Sequence, residues 1–406
     1  MAVLNEGVQS SINVESTEQM PDNDKLLYFY YRHQFPLFQK MYFSTGRQSK
    51  PVVNSSGIYY WWEDELYPSS TALQAGGIVG GSATENIETK VVTNFLQPND
   101  ILLNETTLQL LYVTTITTHT TVSSMDGSTL ITAATTGYLR KVGTLDHEFS
   151  GMRTAVATKP VRNSNYLTKY NEAVALTGRQ DAGETWTDGT DFEAQIQKKI
   201  WEMKEFFENN YTLSTESGTQ NITATVSGYT QSWRATYGKG ALGSITTNVI
   251  GYDTPNEDYW DSFFASLFST GGSNHKTLYF GTNLGNNLGK IIKAKYAIDP
   301  KPITTEYGVD LTRWKAFGGT IDLTWDVILD NTFVDWGFVI DHEGTGKGDP
   351  VTFRYMKDDS HGSRKFRIIE NVQTKDIDGR IDVLRADIGV MYPVEKIHGI
   401  ARPNPS

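Results

Sequence analysis

Carboxylates beside tryptophans are the residues of this chain whose types could do chemistry. Trp61, Trp62, Glu63, Asp64 and Glu65 run together, and Asp258, Tyr259, Trp260 and Asp261 repeat the theme. A glycosidase uses two carboxyls about 5 to 10 Å apart across a sugar-binding cleft. Adjacency in sequence does not set that distance, so the preferred reading is a strand edge and a helix face whose charges meet solvent or a partner. The histidines stand alone at His33, His119, His147, His275, His342, His361 and His398. None has HExxH or other ligand spacing, and Asp341-His342-Glu343 precedes a glycine turn. Gly-Lys pairs occur in 344–349 and in Tyr237–Gly240. Neither has the GxxxxGK[ST] spacing that spans an amide cradle for phosphate, so both are read as turns. No GxSxG elbow offers a serine nucleophile. With no cysteine in the chain, thiolate chemistry, disulfides and Cys-zinc sites are excluded. No catalytic residue, metal or cofactor is expected, and the chain is not expected to be an enzyme.

Composition narrows the class further. The chain has 406 residues and a net charge of −11, which argues against a protein that wraps nucleic acid with a cationic surface. Aromatic residues make up 12%, too many for a disordered chain. No apolar run reaches the roughly 18 to 20 residues of a membrane helix, so no membrane is expected as a partner. Residues 1–24 are polar and acidic, unlike a signal peptide, and the protein is expected to stay in the compartment where it is made.

The elements that would position these residues follow from periodicity. Residues 1–24 read as an arm, and Leu26 to Phe43 as an aromatic docking segment that Pro36 prevents from being one helix. Ile58 to Tyr67 reads as a strand, followed by glycines at 76, 77, 80 and 81 in a loop. Residues 87–140 read as short strands, with Thr114 to Ser124 as one of them and Met125 to Ser128 as a hairpin turn. The one long helix runs from Asp191 to Tyr211, with Phe192, Ile196, Ile200, Met203 and Phe207 on a single face. Thr190 and Glu193 fit a capping box at its start. Helices are also expected at Asn256 to Phe268 and Leu284 to Lys295. Strands are expected at Lys276 to Phe280, Trp314 to Ile328, Phe338 to Asp341, Val351 to Met356, Lys365 to Ile369 and Ile381 to Val390. The class is α+β. A large aromatic chain with extended arm and loop segments has rings that its own core does not absorb, which points to an assembly protein.

Several blocks then resemble a known family. Asn163 to Glu208, which enters the long helix, resembles the approach to the spine helix of a tailed-bacteriophage major capsid protein with the Hong Kong 97 fold. The similarity is to its podovirus-like branch, with a β-rich insertion before the spine. Leu167 and Thr168 stand where that branch has Thr-Gln. Tyr60 to Leu66 is similar to the family's Trp-x-Glu-Asp-x-Leu at the rise of the extended loop, Phe95 to Thr114 to its inserted β segment, and Asp376 to Ile400 to its closing strands.

The resemblance implies an N-terminal arm over 1–55, an extended loop with a β-rich insertion over 56–165 and a spine-helix region over 166–214. An axial domain over 215–335 and peripheral-domain strands with the C-terminus over 336–406 complete the layout. It further implies pentamers and hexamers in an icosahedral shell around double-stranded DNA, assembled in the host cytoplasm. A separate scaffolding protein, a portal and a decoration protein are the implied partners. On this reading Trp61, Trp62, Glu63, Asp64 and Glu65 are candidate inter-subunit contacts, and Phe192, Ile196, Ile200, Met203 and Phe207 form the core face of the spine. The alternatives are a β-rich carbohydrate-active or glycan-binding protein, or another virion part such as a tail tube.

Overall fold

The computed structural model describes most of residues 35–404; residues 1–34 and, within the chain, chiefly 90–95, 184–191, 297–312 and 345–350 lie outside it. The expected arm over 1–24, the aromatic stretch Leu26 to Gln34 and the Thr190 cap fall among those residues. Two compact units are present, one made of Met1–Trp61 with Ser164–Ser406, the other of Trp62–Asn163.

The first unit holds two six-stranded sheets. One has the order Ser49–Val52, Thr352–Asp358, Gly379–Met391, Thr168–Thr177, with the short strands Gly362–Ser363 and Arg367–Ile369 paired to its middle members. Against this sheet lies the long helix. Among the described residues six α-helices occur in chain order: α1 Pro36–Tyr42, α2 Gly178–Asp181, α3 Phe192–Leu213, α4 Ala241–Ser244, α5 Glu257–Ser269 and α6 Thr282–Tyr296. Helix α3 has 22 residues, so it is about 33 Å long at about 1.5 Å per residue. Phe192, Met203 and Phe207 are buried, while Ile196 and Ile200 are half-buried against the same core. Tyr211 and Glu208 extend the buried stripe.

Pro36 opens α1 rather than breaking it, because its fixed φ suits a first turn and its missing N–H is not needed there. Leu37, Phe38 and Met41 are thereby buried, and the Phe38 ring stacks on Phe207 at 6.0 Å. Glu208 accepts hydrogen bonds from the backbone N–H groups of Leu37, at 2.9 Å, and Phe38.

The second sheet has the order Val249–Tyr252, Gly399–Pro403, Gly337–Ile340, His275–Phe280, Gly319–Trp325, Arg313–Ala316. Helix α5 starts at Asn256, whose Oδ1 accepts from the Tyr259 N–H at 2.9 Å. Glu257 and Asp258 in its first turn complement the helix dipole. Trp260, Phe263, Phe264 and Leu267 are fully buried in the core beneath it. The indole between Asp258 and Asp261 is therefore core, with no face open to a sugar.

The second unit is a closed six-stranded barrel: Ser70–Gln74, Thr84–Thr89, Thr120–Ser124, Leu110–Ile116, Asp100–Asn104 and Tyr138–Thr144. Closure leaves no sheet edge exposed. Leu73, Ile87, Leu102, Leu111, Val113, Val122 and Leu139 fill its interior. Gly80 and Gly81, in the loop before Thr84, have φ of 81° and 82°, a region that side chains avoid.

Four expectations need correction. Thr114 to Ser124 is not one strand; it is the end of Leu110–Ile116, a turn, and Thr120–Ser124, because these two strands pair as an antiparallel hairpin. The turn Met125 to Ser128 exists, with Gly127 at φ 75°, but the strands on either side of it are not neighbours in the barrel. Trp314 to Ile328 divides into the hairpin Arg313–Ala316 and Gly319–Trp325, with Gly318 at φ 101° in the turn, and a 3-10 turn. The range 336–406, expected as one set of strands, splits between both sheets: Gly337–Ile340 and Gly399–Pro403 complete the second one.

Candidate assembly surfaces

Strand Ile58–Glu63 sorts the first candidate residues by its pleat. Tyr59 is buried, and its hydroxyl donates to the Val390 carbonyl at 2.6 Å. Trp61, on the same side, stacks on Tyr59 at 6.2 Å and packs with Val52, Leu167 and Met391. Trp62 points the other way and is 66% exposed. Glu63 is half-buried, while Asp64 and Glu65 are exposed. Asp64 accepts from the Thr158 hydroxyl at 3.0 Å. Of the two indoles, Trp61 is absorbed by its own subunit and Trp62 presents its face outward.

The root of this segment is held by a residue that sequence reasoning did not single out by itself. The Asn165 side chain donates to the Lys239 carbonyl at 2.9 Å and the Val390 carbonyl at 3.1 Å, and accepts from the Lys239 N–H at 2.8 Å. It joins strand Val161–Tyr166, the run Tyr237–Gly240 and strand Gly379–Met391. The N–H groups of Gly238, Lys239 and Gly240 are all spent on the chain's own acceptors, Thr168 Oγ1, Asn165 Oδ1 and the Ser214 carbonyl. That Gly-Lys-Gly run is a packed turn, not a phosphate cradle. Only glycine fits at its ends: a Cβ at Gly238 would sit 2.5 Å from the Tyr166 carbonyl oxygen and one at Gly240 2.3 Å from that of Asn210.

Asp341-His342-Glu343 is likewise structural in its contacts. Asp341 accepts from the buried Lys276 ammonium at 2.8 Å, from Ser273 Oγ at 2.8 Å and from the Gly344 N–H at 2.8 Å. His342 shares a hydrogen bond with the Tyr279 hydroxyl at 2.9 Å. Burial holds the His342 imidazole well below the usual range, and burial pushes His398 down to about 4. Among the described residues no group of three or more such side chains is arranged to hold a metal ion.

The barrel carries an apolar outer face. Leu103 opposes Leu110 and Ile101 opposes Tyr112 across neighbouring strands, and Tyr138 and Val142 add exposed apolar surface on the adjoining strand. Beneath it the buried Asp100 carboxylate meets Lys141 at 2.7 Å and Arg153 at 2.7 Å.

A long helix laid on a sheet that also receives an N-terminal helix, a second sheet with its own helices, and an insertion entered before the long helix make a Hong Kong 97-like fold. The capsid of a native GTA particle matches with a TM-score of 0.50 at 8% identity, over 98% of this chain and 100% of that one. A chain of Microbacterium phage Oxtober96 gives a TM-score of 0.43 at 10% identity, over 88% and 90%. One of Mycobacterium phage Patience gives 0.40 at 12% identity, over 66% and 77%. At such identities the first likeness speaks to the fold alone. No curated protein sequence matches the chain. The chain belongs to the SU10 major capsid protein family, whose model matches residues 13–345. It is a structural protein that self-assembles into the icosahedral shell of a virion.

Proposed function

We propose that this shell is built from pentamers and hexamers of the chain around double-stranded DNA. The observation that carries the reading is the family match over residues 13–345, and the rigid α3 supports it as the beam that a shell subunit needs. At a net charge of −11, copies repel one another, so closure rests on buried apolar area repeated at many weak contacts. The same charge suits a subunit that encloses DNA without reading its sequence. A separate scaffolding protein, a portal and a decoration protein are the proposed partners, and the host cytoplasm the proposed place of assembly. The chain's role is structural rather than enzymatic.

Within the subunit, the sheet under α3 is assigned to the peripheral domain and the sheet with α5 and α6 to the axial domain. Trp62 to Glu65 are assigned to a boundary between neighbouring subunits, with Trp62 rather than Trp61 as the packing ring. Expressing the full chain, with and without a scaffold, tests the reading by sedimentation and negative-stain microscopy. Capsomers, shells or tubes are expected. A stable monomer at high concentration that cleaves or retains a polysaccharide would sink it.

A further inference from the structure

Residues Gly218–Val226 and Tyr229–Tyr237 form a ribbon of two strands that, among the described residues, pair only with each other, from Gly218 opposite Tyr237 to Val226 opposite Tyr229. A lone two-stranded sheet is marginal in water. The root of this one is tied down. Thr236 Oγ1 donates to the Leu167 carbonyl at 2.7 Å, and the Gly238 N–H donates to Thr168 Oγ1 at 2.8 Å. Beyond Thr236, the hydrogen bonds of its described residues stay inside the ribbon.

The pleat gives the ribbon two unlike faces. On one, Thr223 meets Ser232 at 3.0 Å and Thr225 meets Thr230 at 2.7 Å, hydroxyl to hydroxyl. On the other, Ile222 stands opposite Trp233. A cross-strand aliphatic–indole pair supports a ribbon, yet these two remain 55% and 47% exposed. Large apolar surface left wet on a self-assembling chain marks an interaction site.

Charge points to the occupant. Residues 218–237 contain Arg234 and no Asp, Glu or Lys, in a chain with 47 acidic residues. Between copies of an acidic protein, a segment without carboxylates is where close approach meets least repulsion. A single cation is too few for a nucleic-acid backbone, which is held by several. We propose that the Ile222–Trp233 face of this ribbon packs on a second copy of the chain in the assembled shell. The proposal rests on the shell reading above.

The chain has no cysteine, so Ile222→Cys places one thiol on this face. Its labelling by a maleimide should slow at least about tenfold in particles relative to dissociated subunits, since thiol reactivity follows access. A second variant, Trp233→Lys, should keep the subunit's circular dichroism and melting while cutting particle yield at least about tenfold, because a charge would now enter the contact. Equal labelling in particles and subunits, or wild-type particle yield from Trp233→Lys, overturns the proposal and leaves the shell reading standing. Protection that arises only when a different protein is added overturns the second copy as occupant. Wild-type chain that forms no particles at all ends both.

Discussion

The carboxyl groups of Glu208 on α3 and Asp326 at the end of the second sheet adjoin inside the protein, both fully buried. Asp330 and the phenols of Tyr211, Tyr279 and Tyr392 are among the groups that act on them. Burial first, then the neighbouring Asp326, holds Glu208 well above the usual carboxylate range, and burial pushes Asp326 up to about 6. Such a pair titrates as a unit that keeps a proton to higher pH than either acid would alone.

Raised carboxyls make stability fall as pH rises. The folded subunit holds protons on this pair that the unfolded chain has already lost, so the pair's contribution to stability is fullest at about pH 4 and below and is lost as pH rises through about 6 and beyond. The buried His342 and His398 work in the opposite sense, because the unfolded chain protonates them first as pH falls, so the pair's share is read as a difference between variants. In denaturant unfolding of the unassembled subunit, Glu208→Gln should gain stability relative to wild type between about pH 5 and pH 8, giving a different pH slope. An unchanged slope in the variant would place the titration elsewhere.

Phe207 and Ile200 share a helix face but not a depth, since Phe207 is fully buried and Ile200 half-buried. Phe207→Ala should cost about 3–5 kcal/mol, the range for a buried ring, and Ile200→Ala about half as much. Lys198, also half-buried rather than exposed, should tolerate alanine best of the three. Equal losses at Phe207 and Ile200 in urea unfolding would mean that the helix sits differently on its sheet.

Two ionic sites in the barrel unit should differ in weight. Asp100 is fully buried between two cations, while Arg140 and Glu105, 2.6 Å apart, both reach solvent. Asp100→Ala should destabilise the barrel by about 2–4 kcal/mol, and Arg140→Ala by less than about 1 kcal/mol. Limited proteolysis within Trp62–Asn163 reads this directly. Similar cleavage rates in the two variants would refute the ranking.

Replacing Glu63, Asp64 and Glu65 together with Lys should leave the subunit's circular dichroism and melting nearly unchanged. If these residues lie at a subunit boundary, particles should fail to form or should form only in some salt conditions, because the local charge is reversed. Normal particles across a salt series would remove them from the boundary.

What could be read in sequence, and what could not, follows from how each element is stabilised. Helix α3 was legible because Phe192, Met203 and Phe207 recur at helical spacing, and α5 because Asn256 announces its start. Strand Thr168–Thr177 was hidden, since only Thr168, Tyr170 and Val174 are buried along its ten residues, and its polar outer positions imitate a loop. The ribbon Gly218–Tyr237 was hidden for the same reason: threonine and serine hydroxyls satisfy each other across it instead of forming a core. The uniform threonines of 114–121 cannot mark where one strand ends and the next begins. At the candidate site, a tryptophan doublet announces an indole on each side of a strand but not which side is covered. Tyr59 decides that, through a contact with Val390. Asn165, Glu208 and Asp326 act through partners far away in sequence, so no local pattern betrays them.

The chain leaves the first unit along Ile58–Glu63 and comes back along Val161–Tyr166, and these two strands pair with each other. Both ends of the barrel insertion are thus held about one strand spacing apart, about 4.8 Å, and the barrel has a core of its own. Those are the conditions under which a domain can be lifted out and another spliced in, or the gap closed by a tight turn, without asking the remaining fold to change. A lineage of such proteins can lengthen, shorten or exchange this module while its lattice contacts elsewhere are conserved, and an engineer can use the same pair of strands as a graft point that multiplies a foreign domain by the number of subunits in the shell.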